Sequence, residues 1–154
     1  WHLGEYGAWG KMTNYELATR VPFLIAPPNS SGGRTRTIAE LVDLYPTLCD
    51  LAEIDAPAHL EGESLVSVLE SPSTETDLFA LSQYQRYQGE LMGRAIRTDR
   101  YRYVAWFRQK TGEIVARELY DHELDPGETL NIAGKPENES IVADLEGKLS
   151  RHRR

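Results

Sequence analysis

Chemistry-bearing side chains crowd into one short segment. Trp1-His2-Leu3-Gly4-Glu5-Tyr6-Gly7-Ala8-Trp9-Gly10-Lys11 holds two Trp, one His, one Glu and one Lys among three glycines. Glycine lets the backbone run close to a ligand. A lysine ammonium is a compact point charge suited to an anionic oxygen. On residue types alone a glycine-rich surface loop with a solvated Lys11 is the plainer reading, and an anion site is its rival. Elsewhere the candidates thin out. His59, His122 and His152 have no partner at metal-ligand spacing and read as structural or solvated. Asp121, Glu123 and Asp125 cluster without the pattern of a calcium loop. Cys49 is the single cysteine, which excludes an internal disulfide framework and a multi-cysteine zinc site. It sits on an apolar helix stripe and reads as core packing. The Asn-x-Ser matches at Asn29 and Asn138 carry no argument without a known compartment.

The elements that position these residues follow from period and punctuation. Val21–Ala26 is an apolar run ended by Pro27-Pro28 and predicts a buried strand. Residues 29–36 read as a polar loop. Ile38, Leu41, Val42, Tyr45, Leu48, Cys49 and Ala52 share one helical face, with Thr37 and Glu40 as a capping box and Pro46 as a kink near Val42. A shorter helix is expected over Ser64–Leu69, then a linker over residues 71–76. Beyond it the period becomes two. Strands are expected over Leu78–Tyr84, Leu91–Arg97, Arg100–Phe107 and Ile114–Tyr120, with turns at Thr98-Asp99, Lys110-Thr111-Gly112 and Asp125-Pro126-Gly127. Ile141, Val142, Leu145 and Leu149 mark a closing helix whose end carries Lys148, Arg151, Arg153 and Arg154.

Charge divides the chain at the linker. Residues 1–77 carry 4 basic and 12 acidic side chains, and residues 78–154 carry 13 and 12. The expectation is two units: 1–77 as the tail of an α/β layer, and 78–154 as an α+β subdomain of antiparallel sheet plus helix. The length of 154 residues suffices for a real core, and 40% hydrophobic with 27% charged composition fits a globular chain. The net charge of −7 argues against a nucleic-acid partner. No apolar run approaches the roughly 20 residues of a membrane span. An aromatic, glycine-rich opening without Met or leader, and a lone strand, lead to the expectation that an N-terminal part precedes Trp1.

Residues Trp1–Pro22, W-H-L-G-E-Y-G-A-W-G-K-M-T-N-Y-E-L-A-T-R-V-P, resemble the conserved segment of type I sulfatases, in the iduronate-2-sulfatase-like branch. The similarity continues through Glu40–Leu48, Ser82-Gln83-Tyr84, Met92-Gly93, Ile96–Tyr103, Glu118–Asp121 and Asp125-Pro126. The resemblance implies an alkaline-phosphatase-like α/β sulfatase fold, of which this chain is the C-terminal portion. It implies hydrolysis of sulfate monoesters on a sulfated, uronate-type sugar such as a glycosaminoglycan. In the family a formylglycine is the nucleophile, and an Asp-His-Gly triplet just before the residue matching Trp1 supplies calcium ligands. No C/S-x-P-x-R motif for the formylglycine occurs here, so nucleophile and calcium site are expected upstream, with no metal ligand in this chain. The lysine matching Lys11 contacts the substrate sulfate, which makes Lys11 the catalytic residue carried over. Trp1 follows as a wall of the substrate pocket, and His2 as a further substrate-binding candidate, with a local hydrogen bond as its plainer reading. Arg86, in the short loop Gln85–Leu91, is a candidate for a uronate carboxylate, with a plain surface arginine as its rival. Tyr6 stands where the family usually has His.

The partners implied are the sulfated carbohydrate and the upstream part of the same enzyme, and the compartments implied are periplasmic, secreted or lysosomal. The isolated chain is expected to be inactive. The rival class is a non-catalytic carbohydrate- or protein-binding module, in which Tyr101, Tyr103 and Trp106 form an exposed stacking face.

Overall fold

The computed structural model describes residues 1–28, 32–73 and 76–152. The Asn29 sequon, Thr74 and Glu75 within the expected linker, and the terminal Arg153 and Arg154 lie outside the described residues. The chain divides into two compact units, Trp1–Val21 with Leu81–Arg154, and Pro22–Ala80. Compactness therefore groups the opening segment with the C-terminal half, a different grouping from the charge-based segments 1–77 and 78–154.

The first unit is built on four strands in the order β3-β4-β5-β6: β3 Ala80–Arg86, β4 Leu91–Arg97, β5 Tyr101–Arg108 and β6 Ile114–Asp121. β4 and β5 pair antiparallel from Leu91 opposite Arg108 to Arg97 opposite Arg102. β5 and β6 pair from Tyr101 opposite Asp121, with an irregularity at Trp106/Phe107. Period-two alternation sends Tyr103, Ala105 and Phe107 to one face and Arg102, Val104 and Trp106 to the other. Both faces are covered, so all six side chains are buried. Helix α4, Glu139–Arg151, covers the first face with Leu145 and Leu149. Tyr103 Oη donates to Glu146 of α4 at 2.5 Å, and Arg117 holds the same carboxylate at 2.7 Å. Burial, followed by the Glu146 hydrogen bond, raises the Tyr103 hydroxyl pKa. On the other face Ala95, Val104 and Trp106 form an apolar cluster flanked by Tyr84 and Leu91. That face also receives the opening segment.

The second unit holds a 3-10 turn Leu41–Asp43 running into α2, Leu44–Leu51, and a short α3, Val66–Glu70. The expected helix was longer. Starting at Leu44 places Pro46 in the first turn, where its missing N–H has no intrahelical acceptor to lose, so no kink is needed. The capping box is Glu40 with Asp43 rather than Thr37 with Glu40; Glu40 N–H donates to Asp43 Oδ2 at 2.7 Å. Asp43 Oδ1 also accepts Glu63 N–H at 3.0 Å, and Thr47 Oγ1 accepts Leu65 N–H at 3.0 Å. The face that packs within this unit is thus polar, joined by Cys49, which is buried and free. Leu41, Val42, Tyr45 and Leu48 of the apolar stripe are exposed. Val21–Ala26 forms no strand. A strand needs a neighbour to satisfy its N–H and C=O groups, and no described strand offers this segment an edge.

Candidate active site

The opening segment folds as a small hairpin. β1, His2–Leu3, pairs antiparallel with β2, Trp9–Gly10, with His2 opposite Gly10 and Leu3 opposite Trp9. The connection needs left-handed backbone at Gly4 (φ 125°) and Gly7 (φ 67°), which glycine accepts at little cost. Tyr6 also adopts it (φ 56°), and its hydroxyl donates to the Gly127 carbonyl. Glu5 Oε2 accepts Leu3 N–H at 2.6 Å, and that hydrogen bond is the main cause of its lowered pKa.

Trp1, Leu3, Trp9 and Met12 are exposed on this hairpin, and so is Lys11. The Trp1 ring lies beside Gly10, where an added Cβ would sit 3.8 Å from it. His2 is fully buried, its Nε2 2.7 Å from Thr13 Oγ1 and its ring edge-on to Tyr6 and Tyr15. Among the described residues its Nδ1 has no hydrogen-bond partner. The fold thus brings Trp1, His2 and Lys11 onto one hairpin, with Trp1 and Lys11 facing out and His2 turned inward. Arg86 lies elsewhere, at the end of β3, which is an edge strand. Its guanidinium sits 4.5 Å from the Trp106 ring centroid, and its side chain remains exposed. Trp106 is held from below: its Nε1–H donates to Glu118 Oε1 at 2.7 Å.

Behind the hairpin lies an ionic cluster for which the sequence reading had no place. Glu16, in helix α1 (Glu16–Thr19), receives Arg97 Nε at 3.1 Å and Arg102 Nη2 at 2.5 Å. Arg102 Nε donates to Glu128 Oε1 at 2.5 Å, and Glu128 Oε2 accepts Glu16 N–H at 2.7 Å. Arg102 is 2% exposed and Glu128 3%. Burial pushes both carboxyl pKa values up, but the surrounding donors prevail. Arg97 and Arg102 hold Glu16 below the usual carboxylate range, and His122 with Arg102 does so for Glu128. Arg97 Nη2 donates to His122 Nδ1 at 3.2 Å. An arginine can only donate, so the ring proton resides on Nε2, 3.0 Å from Glu128 Oε1. His122, read from sequence as structural or solvated, is structural. Period two along β5 places Arg102 on the same face as Val104 and Trp106, but it does not point to Glu16, His122 or Glu128.

Glu16, His122 and Glu128 place three potential ligand atoms within 4.8 Å of one another. Two guanidinium groups already neutralise both carboxylates, and calcium favours six to eight oxygen ligands. The cluster does not fit calcium.

The expected aromatic stacking face is not formed. Tyr103 is buried beneath α4 and Trp106 is buried on the opposite face beneath Arg86. Trp1 and Trp9 of the hairpin are exposed instead, as are Tyr6, Tyr45 and Tyr87.

This meander, closed by one helix and carrying a glycine-rich, lysine-bearing hairpin, is similar in fold to the C-terminal portion of solved sulfatases of the alkaline-phosphatase-like class. The chain belongs to the family described as N-sulphoglucosamine sulphohydrolase, C-terminal, the match running over residues 4–154. It is 31% identical to arylsulfatase K of Mus musculus over 94% of its own length and 27% of that protein's. It is 27% identical to iduronate 2-sulfatase of Mus musculus, over 94% of this chain and 38% of that one. The solved structure of a 2-O GAG sulfatase matches with a TM-score of 0.57 and 32% identity, covering 71% of this chain and 23% of the other. A second, in complex with D-glucosamine-2-N,6-O-disulfate, matches with a TM-score of 0.58 and 29% identity over 71% of this chain and 22% of that one. The chain therefore spans well under half of the relatives it matches. No described helix is long and apolar enough to cross a membrane.

Proposed function

We propose that this chain is the C-terminal portion of an enzyme that hydrolyses sulfate monoesters on a sulfated, uronate-type sugar, and that Lys11 is its catalytic contribution. The observation that carries the reading is the exposed Lys11 at the end of a glycine hairpin with exposed Trp1 and Trp9 beside it. An ammonium fixed there offsets negative charge on the sulfate oxygens as the ester bond breaks, which is electrostatic catalysis by a preorganised cation. Trp1 supplies an apolar wall for the sugar. His2 acts from behind, orienting the hairpin through Thr13. Arg86 stays exposed beside the Trp106 ring, and its planar guanidinium can meet a carboxylate with two N–H donors.

Residues 1–77 belong to the tail of the catalytic domain and 78–154 to the smaller subdomain, whose β3–β4 connection at residues 87–90 borders the substrate cleft. Formylglycine and calcium reside in polypeptide upstream of Trp1, and the chain by itself is inactive. The enzyme works in a periplasmic, secreted or lysosomal compartment, the settings in which the resemblance places such sulfatases.

The test is Lys11→Ala in the full-length protein, assayed on an aryl sulfate and on a sulfated uronate oligosaccharide. Turnover should fall by about 10² or more, the usual effect of removing one such group. A variant within a few-fold of wild type removes Lys11 from the mechanism, and a wild-type protein that releases no sulfate from either ester removes the activity.

A further inference from the structure

Lys11 sits in a closed turn, and three of the residues that follow it, Thr13, Asn14 and Glu16, are anchored. Lys11 carbonyl accepts Thr13 N–H at 2.9 Å, closing the turn. Thr13 Oγ1 meets His2 Nε2. Asn14 is buried and reaches across to the meander: its Nδ2 donates to the Gly93 carbonyl of β4 at 3.1 Å, and its Oδ1 accepts the Ser82 hydroxyl of β3 at 3.0 Å. Glu16 is clamped by Arg97 and Arg102, and Arg102 is pinned in turn by Glu128. Asn14 lies three residues from Lys11 and Glu16 five, so little slack separates the anchors from the ammonium.

We propose that Asn14 and Glu16 are positioning residues for the sulfatase reaction: they lock the Lys11 turn onto β3, β4 and β5, with the buried Arg102–Glu128 pair as the fixed end of the clamp. The inference rests on the sulfatase reading above and deepens it. It gives the meander a role in the chemistry, because the strand that bears Arg102 sets where Lys11 stands. The physical ground is that catalytic charges work by placement. A displacement on the order of 1 Å at a catalytic group costs up to about 10²-fold in rate. Short buried side chains with few rotamers hold such a placement better than exposed ones.

The experiment is a double-mutant cycle in the full-length enzyme on an aryl sulfate. Asn14→Ala and Glu16→Gln are each made in the wild-type and in the Lys11→Ala background. In the wild-type background each should lower kcat by about 10-fold or more with KM within about 3-fold, and in the Lys11→Ala background each should change kcat by less than about 2-fold. A clamp that merely stabilises the fold gives equal losses in both backgrounds, or none at temperatures below unfolding; either result overturns the proposal. Thermal midpoints identify variants that no longer fold. Should both fail to fold, Ser82→Ala decides. It strips only the hydroxyl donated to Asn14, and its expected kcat loss of about 3-fold should vanish without Lys11. If the unmutated enzyme is inactive, the sulfatase reading falls. If it is active and the cycle is additive, only the clamp falls.

Discussion

Gly93→Ala probes the packing on which both Trp106 and Arg86 depend. Gly93 faces Trp106 directly across β4 and β5. A Cβ built there would come 2.7, 2.8 and 2.9 Å from three atoms of the Trp106 ring. Real Cβ contacts are not that short, so the ring has to move. It has little room, being 5% exposed, hydrogen-bonded to Glu118 and covered by Arg86. The backbone itself is no obstacle, because Gly93 is not among the positive-φ residues. Alanine therefore gains about 0.4–1 kcal/mol from a less flexible unfolded chain. Overpacking a rigid site costs about 1–3 kcal/mol, and the pinned ring puts this case in the upper half of that range. The net loss is about 1–2.5 kcal/mol. At about 2–4 °C per kcal/mol for a chain of this size, the thermal midpoint should fall by about 2–10 °C. Calorimetry or thermal circular dichroism reads the shift. The cause is separated from the effect by repeating the change in Trp106→Ala, where the added methyl enters vacated space and should cost less than about 0.5 kcal/mol. An unchanged midpoint in the first case, or an undiminished loss in the second, refutes the clash.

Further outcomes follow from the same geometry. Arg102→Met leaves the buried Glu128 and the half-buried Glu16 with fewer donors and should destabilise by about 3–5 kcal/mol in denaturant unfolding, the usual result of orphaning a buried charge. Glu16 and Glu128 titrate below the usual range when folded, so their contribution is complete above the unfolded carboxylate pKa of about 4.3 and is lost as pH falls through the lower folded values. The thermal midpoint should thus drop on acidification below about pH 4.3, and Glu128→Gln should flatten that drop; an equally steep acid limb contradicts the assignment. In the second unit, Gly62→Ala would set a Cβ 2.2 Å from the Val42 carbonyl oxygen. Backbone cannot swing aside as a side-chain tip can, so this variant should lose more stability than Gly93→Ala; equal midpoints would contradict the ranking.

The meander was readable because its aromatic and aliphatic strand-forming runs are separated by turn residues. Leu91–Arg97 has the bounds expected of it, and the other three strands differ by a residue or two. The closing helix was legible from Ile141, Val142, Leu145 and Leu149 for the same reason. Failures fall where partners are distant or where one residue serves two grammars. Val21–Ala26 has strand composition but no described edge to join. Pro46 reads as a breaker unless the helix begins two residues earlier, which Asp43 and Glu40 arrange by capping each other. The α2 stripe looked like core, while the packing within its unit uses the polar Asp43 and Thr47 side. The hairpin's glycines and aromatics stand out in its composition, whereas the inward turn of His2 does not. The ionic cluster joins residues up to 112 positions apart, Glu16 and Glu128, and no local spacing encodes such a meeting.

Glu128 occupies left-handed backbone (φ 53°) while its carboxylate serves Arg102, His122 and the Glu16 amide. The two demands conflict. Glycine, the natural tenant of that conformation, has no oxygen to offer; asparagine tolerates the backbone but brings neither the length nor the charge. A saturation library at this codon should accordingly show a single sharp optimum rather than a plateau of acceptable residues, and the usual loop-stabilising swap to glycine should rank among its losers.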